Sequence, residues 1–225
     1  MKIKYAVFDF DGTLFDTMFI WDTIAEVYLH SLGKEPDPSL RNDVRSLSML
    51  QAARYLKQEY VLSLSVEEII AGVNRILIQF YQDEAQPKPG VVKFLQELKR
   101  AGVSMCIASA TDRHLIEAAL KRCRMNTFFK TIFTCSEVGH GKDEPAIYRK
   151  ALEHFHADRS NTIIFEDALH AAQTAKTDGF AVAAVYDKSE TQQTKLQQLC
   201  DCFLKDFNHT EAFKKFADHP QRRKQ

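Results

Sequence analysis

Five short apolar runs, at residues 5–8, 103–108, 131–134, 162–165 and 181–185, alternate with amphipathic helical stretches over most of this chain. The helical stretches fall at 91–100, 112–123, 144–155 and 168–177, and Gly102 and Gly179 follow two of them at the left-handed position that ends a helix. Runs of four to six β-branched and aromatic residues are the mark of strands buried on both faces. Alternated with helices at this spacing, they predict an α/β fold: a doubly wound, Rossmann-like parallel sheet with helices on both sides.

One segment breaks the alternation. Residues 16–86 contain no convincing strand and read as helical throughout. A helix is expected from about 17 to 32, ending at Gly33, and a looser helical pattern covers 40–60. Ser65 and Glu68 have capping-box spacing and open a helix with Ile69, Ile70, Val73, Ile76, Leu77 and Phe80 on its apolar face. Pro87, Pro89 and Gly90 mark the return to the sheet. The expected organisation is an α/β core from 1–15 and 87–215, an inserted α-helical domain at 16–86, and a disordered basic tail at 216–225.

Composition narrows the function classes. Thirty basic residues balance thirty acidic ones, so no overall charge draws the protein to nucleic acid or an anionic membrane. No apolar run approaches the roughly 18 residues of a membrane span, and no signal-peptide pattern precedes the first strand. The five cysteines lack disulfide-framework spacing; Cys106 reads as a reduced core thiol, and Cys200 and Cys202 are too close for a CxxC half-site. A cytoplasmic protein, monomeric or weakly dimeric, is expected.

Chemistry concentrates where the apolar runs end. The first run leads into Asp9-Phe10-Asp11-Gly12-Thr13, two carboxylates at alternate positions followed by a turn. In open α/β sheets, ligands bind beyond the carboxyl ends of the strands. Three further strand ends carry polar groups: Ser109-Ala110-Thr111, Lys142 in a glycine-rich loop, and Glu166-Asp167. Each has a plainer reading alone. The acids could cap their own turns, Ser109 could be an ordinary helix cap, and Lys142 a solvated charge. A calcium loop starting at Asp9 fails, because Ile20 occupies the position of its bidentate glutamate. Together the four segments offer metal carboxylates, hydroxyl and amide donors for a phosphate, and a fixed cation. That is the complement of metal-assisted phosphoryl transfer.

On these four ordered segments the chain resembles the haloacid dehalogenase-like hydrolase superfamily over nearly its whole length. The helical insert after the first box is similar to the small cap of its β-phosphoglucomutase and phosphoglycolate phosphatase branch. The resemblance implies Asp9 as nucleophile, Asp11 as general acid and base, Ser109 as phosphoryl ligand and Lys142 as charge neutraliser. It implies Mg²⁺ held by Asp9, the Asp11 backbone carbonyl and Asp167, with Glu166 as ligand or orienter. Ala110 and Thr111 beside the anion site, with Arg113, Thr17, Trp21, Arg45 and Ser48, are candidate substrate-binding positions, and cap closure would exclude water.

The chain also departs from the family pattern. Proline follows Lys142 by three residues, with Asp143 and Glu144 between, and no glycine follows Glu166-Asp167 closely. Trp21 stands where the branch's mutases carry a histidine, and Met49 where they carry a phosphate-gripping arginine; Arg45 is the nearest substitute. The expected function is therefore a Mg²⁺-dependent phosphatase acting on a small phosphorylated metabolite through an aspartyl-phosphate. A phosphosugar mutase is the enzymatic alternative, and a non-catalytic phosphometabolite-binding module the alternative of another class.

Overall fold

The computed structural model describes residues 3–44, 47 and 49–218. The chain divides into two compact units, one of residues 1–16 with 86–225 and one of residues 17–85.

The larger unit is built on six parallel strands: β1 (Tyr5–Phe8), β2 (Ser104–Ser109), β3 (Ile132–Thr134), β4 (Thr162–Glu166), β5 (Ala181–Val185) and β6 (Cys202–Leu204). Their order, β3-β2-β1-β4-β5-β6, is that of a doubly wound sheet. The order reverses at β1, whose Phe8 is level with Ile107 of β2 and Phe165 of β4. The crevice at the switch point therefore opens just beyond Phe8, where the first carboxylates lie.

Alternate β1 residues feed two separate cores. Val7 packs in a cluster with Cys106, Ile164, Tyr148 and Ala172. Phe8 stacks on Phe165 at 4.3 Å between ring centroids, and Phe165 meets Phe94 and Phe213. Apolar residues on both faces are what a central parallel strand requires, and they explain the unbroken apolar reading of β1.

In the other unit, α1 (Met18–Ser31), α2 (Leu40–Val44), α3 (Met49–Glu59) and α4 (Val66–Asp83) follow one another without a strand among the described residues. The Ser65 hydroxyl accepts from the Glu68 amide and the Glu68 carboxylate accepts from the Ser65 amide, the reciprocal capping box that their spacing predicts.

The helices of the larger unit are α5 (Val91–Arg100), α6 (Arg113–Arg122), α7 (Cys135–Val138), α8 (Ala146–Phe155), α9 (Leu169–Thr177), α10 (Gln193–Leu199) and α11 (Glu211–Asp218). Three of these were not expected: α7, α10 and α11, and neither was strand β6. The three residues of β6 and four of α7 are too few to show a period. The tail expected from residue 216 is also corrected, because α11 continues to Asp218. Phe213 and Ala217, four apart on one helical face, are both buried and hold that last turn down.

Candidate active site

The first box forms a tight turn. Gly12 takes a left-handed φ of 75°, and the amides of Leu14 and Phe15 both donate to the Phe10 carbonyl. Phe10 tucks under the turn and stacks on Phe15 at 4.4 Å. With Phe10 committed to the core, the flanking acids are held at the strand ends. The Asp9 amide extends the ladder by donating to the Phe165 carbonyl.

Side chains from four chain segments meet here. Lys142 Nζ lies 2.5 Å from Asp9 Oδ1 and 2.7 Å from Glu166 Oε1. Tyr148 donates its hydroxyl to the same Glu166 oxygen at 2.8 Å. Thr13 Oγ1 donates to Asp167 Oδ1 at 2.7 Å. One oxygen from each of Asp9, Glu166 and Asp167 lies within 4.8 Å of the others. All of these groups are buried. The second Glu166 oxygen, Oε2, is buried and has no hydrogen-bond partner among the described residues.

The electrostatics follow from crowding three buried carboxylates together with an ammonium that meets two of them. Burial lifts the Glu166 carboxyl to about 7, with the Asp9 charge adding to the rise and Lys142 and Tyr148 opposing it. Burial, then Asp9 and Glu166, raise Asp167 well above the usual carboxylate range; Thr13 and Lys88 pull the other way. Burial alone would discharge Lys142, but Asp9 and Glu166 together outweigh it and hold its ammonium above the ordinary lysine range. The ammonium is thus a permanent charge, and the carboxylate cluster is short of cation.

Asp11 faces a different partner. Its Oδ2 accepts from the Thr111 hydroxyl at 2.5 Å, and the Thr111 amide donates to Ser109 Oγ at 3.2 Å. Thr111 thus ties the end of β2 to the first box, its amide on Ser109 and its hydroxyl on Asp11, with all three residues buried.

Other sequence-selected positions fall elsewhere. Ala110 is exposed. Arg113 makes a bidentate pair with Glu137, its Nε 2.6 Å from one carboxylate oxygen and Nη2 2.9 Å from the other. Thr17 and Trp21 belong to the helical unit, where Thr17 is buried and the Trp21 indole donates to the Tyr81 hydroxyl at 3.3 Å. Arg45 and Ser48 lie outside the described residues. The extra acids after Lys142 are both exposed, and Glu144 lies 3.1 Å from His140.

Sequence reasoning gave Tyr148 no role, because a tyrosine beside buried Ile147, Ala151 and Leu152 reads as one more core residue. A buried tyrosine nevertheless needs a partner for its hydroxyl, and Glu166 is that partner. Lys88 and Asp187 were missed as well. They form a buried ion pair, 2.8 Å between Nζ and Oδ2, and no motif marks either residue.

A six-stranded parallel sheet of this order, with acids, a hydroxyl and a lysine at its carboxyl edge, defines a doubly wound α/β core with a polar site at its switch point. A family model described as haloacid dehalogenase-like hydrolase matches residues 6–185, and the chain belongs to that family. It is 28% identical over 198 residues to "Probable pseudouridine-5'-phosphatase" of Drosophila melanogaster, covering 85% of each chain. It is also 28% identical over 186 residues to pyrophosphatase PpaX of Bacillus cereus (strain Q1), covering 82% of this chain and 84% of that one. Among solved structures, CbbY from Rhodobacter sphaeroides in complex with phosphate superposes with a TM-score of 0.74 at 21% identity, covering 93% of this chain and 96% of that one. This chain is an enzyme of the same hydrolase family as its phosphatase-named relatives. No helix among the described residues is long and apolar enough to cross a membrane.

Proposed function

We propose that the protein is a Mg²⁺-dependent phosphatase that hydrolyses a small phosphorylated metabolite by way of an aspartyl-phosphate on Asp9. The observation that carries this reading is the contact of Lys142 with Asp9 beside the buried Asp9, Glu166 and Asp167 cluster. A carboxylate held against a fixed ammonium at a strand end is suited to receive a phosphoryl group whose charge that ammonium offsets.

The donor set fits magnesium. It is all hard oxygen, it carries more negative charge than Lys142 neutralises, and Glu166 Oε2 is a buried oxygen awaiting a partner. Asp9, Asp167 and the Asp11 backbone carbonyl would hold the ion, with Glu166 as ligand or orienter. When bound, Mg²⁺ offsets charge on the phosphoryl oxygens and orients them.

In the first half-reaction an Asp9 carboxylate oxygen attacks phosphorus. The bond to the ester oxygen breaks, and Asp11 gives that oxygen its proton. In the second, the Asp11 carboxylate takes a proton from a water molecule as the water oxygen attacks the same phosphorus. The acyl-phosphate bond breaks, inorganic phosphate leaves, and Asp9 and Asp11 regain their starting forms. Lys142 stays charged throughout, and Ser109 supplies a hydroxyl donor to the phosphoryl oxygens. Hydrolysis is favoured over a mutase reaction because Trp21 and Met49 occupy the positions of the two mutase groups that would retain a bisphosphate.

The reading is tested with an aryl phosphate and a panel of sugar, nucleotide and short-chain acid phosphates, each with Mg²⁺ and with EDTA. Turnover that needs Mg²⁺ and vanishes in Asp9→Asn is expected. Activity that survives both EDTA and the substitution would sink the mechanism, and saturable binding without turnover across the panel would favour a sensor.

A further inference from the structure

Lys88 and Asp187 form a buried ion pair outside the catalytic cluster. Lys88 lies on the return segment that leads into α5, and Asp187 lies two residues beyond β5. Burying two opposite charges brings little net stability over a well-packed apolar pair. The contacts around this pair give it a more specific use.

On one side, the Lys88 amide donates to the Leu14 carbonyl at 2.9 Å, and Phe15 forms a β-bridge with Pro87. Leu14 adjoins Thr13, whose hydroxyl holds Asp167 Oδ1. On the other side, Lys88 Nζ donates to the Tyr186 carbonyl at 2.7 Å and meets Asp187. Asp187 also accepts from the amide and hydroxyl of Ser189. The same loop carries Glu190, whose Oε2 accepts from the Leu169 amide at 2.8 Å. That amide opens α9 two residues after Asp167, and no side chain at the N-cap position, Ala168, caps it. Asp167 is therefore braced twice, by the Thr13 hydroxyl and by the Glu190-capped helix start. Lys88 meets the chain beside each brace, through its amide at Leu14 and its ammonium at Tyr186 and Asp187.

The return segment is itself fixed. The Asp16 amide donates to the Gln86 carbonyl and the Phe207 amide to the Pro89 carbonyl. Gly90 has a φ of 84° and sits so close to the Phe207–Asn208 backbone that a Cβ would come within 2.5 Å of it.

We propose that the Lys88–Asp187 pair is a positioning device for Asp167, setting the cation affinity of the acidic cluster without contacting the cation. The proposal rests on the reading of that cluster as a divalent-cation site. The pair joins the first-box turn to the loop after β5. Removing it frees the two braces of Asp167 to shift independently, and loss of orientation at a ligand carboxylate changes metal affinity by about 10–100-fold.

The test measures Mn²⁺ binding by electron paramagnetic resonance on the full chain without substrate, alongside Mg²⁺ competition and thermal melting. Lys88→Met/Asp187→Leu replaces the pair with apolar groups, and Lys88→Gln/Asp187→Asn is the milder variant should the first not fold; both leave the net charge unchanged, so the Lys88 charge that also acts on Asp167 goes together with that of Asp187. Asp178→Asn serves as a control, since Asp178 pairs with Arg149 and Arg159 and takes no part in bracing Asp167. The expected result is an Mn²⁺ dissociation constant raised about tenfold in the pair variants, with the control near wild type even where its melting temperature falls. Folded pair variants that bind Mn²⁺ within twofold of wild type would overturn the proposal while leaving the cation site intact. Wild type and Asp167→Asn titrating alike would remove the site and the proposal together.

Discussion

Lys142 Nζ sits 2.5 Å from Asp9 Oδ1, with both side chains almost wholly buried. The lysine is reached from the loop between α7 and α8, the aspartate from the end of β1, so a charge contact joins two segments far apart in sequence. Lys142→Met removes the ammonium and leaves Asp9, Glu166 and Asp167 facing one another. Phosphatase activity is expected to fall by at least about 10²-fold, as for loss of a preorganised charge at a reacting group. Stability should fall by about 3–5 kcal/mol, read from urea denaturation. Near wild-type turnover in this variant would show that the charge is dispensable.

Thr111 donates to the Asp11 carboxylate and was expected from sequence only as a substrate ligand. If its task is to orient Asp11, Thr111→Val should lower kcat about tenfold with little change in KM, and Thr111→Ser should restore most of it. A change confined to KM would return Thr111 to substrate binding.

Tyr148→Phe deletes one hydroxyl without opening a cavity. The lost donor to Glu166 should cost about 1–3 kcal/mol of stability, measured by denaturant titration. An unchanged midpoint would mean that Glu166 finds another donor at once.

Much of the site was legible because strand ends are positional. Once Tyr5–Phe8 is read as a buried strand, Asp9 must emerge at its carboxyl end, and the same logic carries Ser109 and Glu166. The cores were legible for the same reason, since both faces of β1 are apolar. What was not legible depends on tertiary contact. Nothing near Tyr148 in sequence distinguishes a hydroxyl aimed at Glu166 from a core ring, and Lys88 and Asp187 lie 99 residues apart. The small elements α7 and β6 are held by their neighbours rather than by any period of their own. Arg113 looked available for a substrate until its partner Glu137 came into view on α7.

Asp178 gives the fold an acid-sensitive joint. A hydrogen bond from Arg149, with Arg159 contributing, holds its carboxyl below the usual aspartate range despite some burial. A depressed folded value means the stabilisation is complete above the ordinary carboxylate range and disappears as pH falls through the folded value. Wild type should therefore lose more stability than Asp178→Asn between about pH 5 and pH 2. Parallel melting curves against pH would contradict this.

Phosphorylation of Asp9 is the step that distinguishes the proposed cycle from direct attack of water on the ester. During steady turnover of an aryl phosphate, the protein can be quenched and treated with borohydride, which reduces an acyl phosphate to the alcohol. Peptide mass analysis then reads which residue was modified. The expected result is homoserine at position 9, formed only when both substrate and Mg²⁺ are present and absent from Asp9→Asn. Turnover accompanied by inversion at phosphorus, with no reduced residue at position 9, would contradict it.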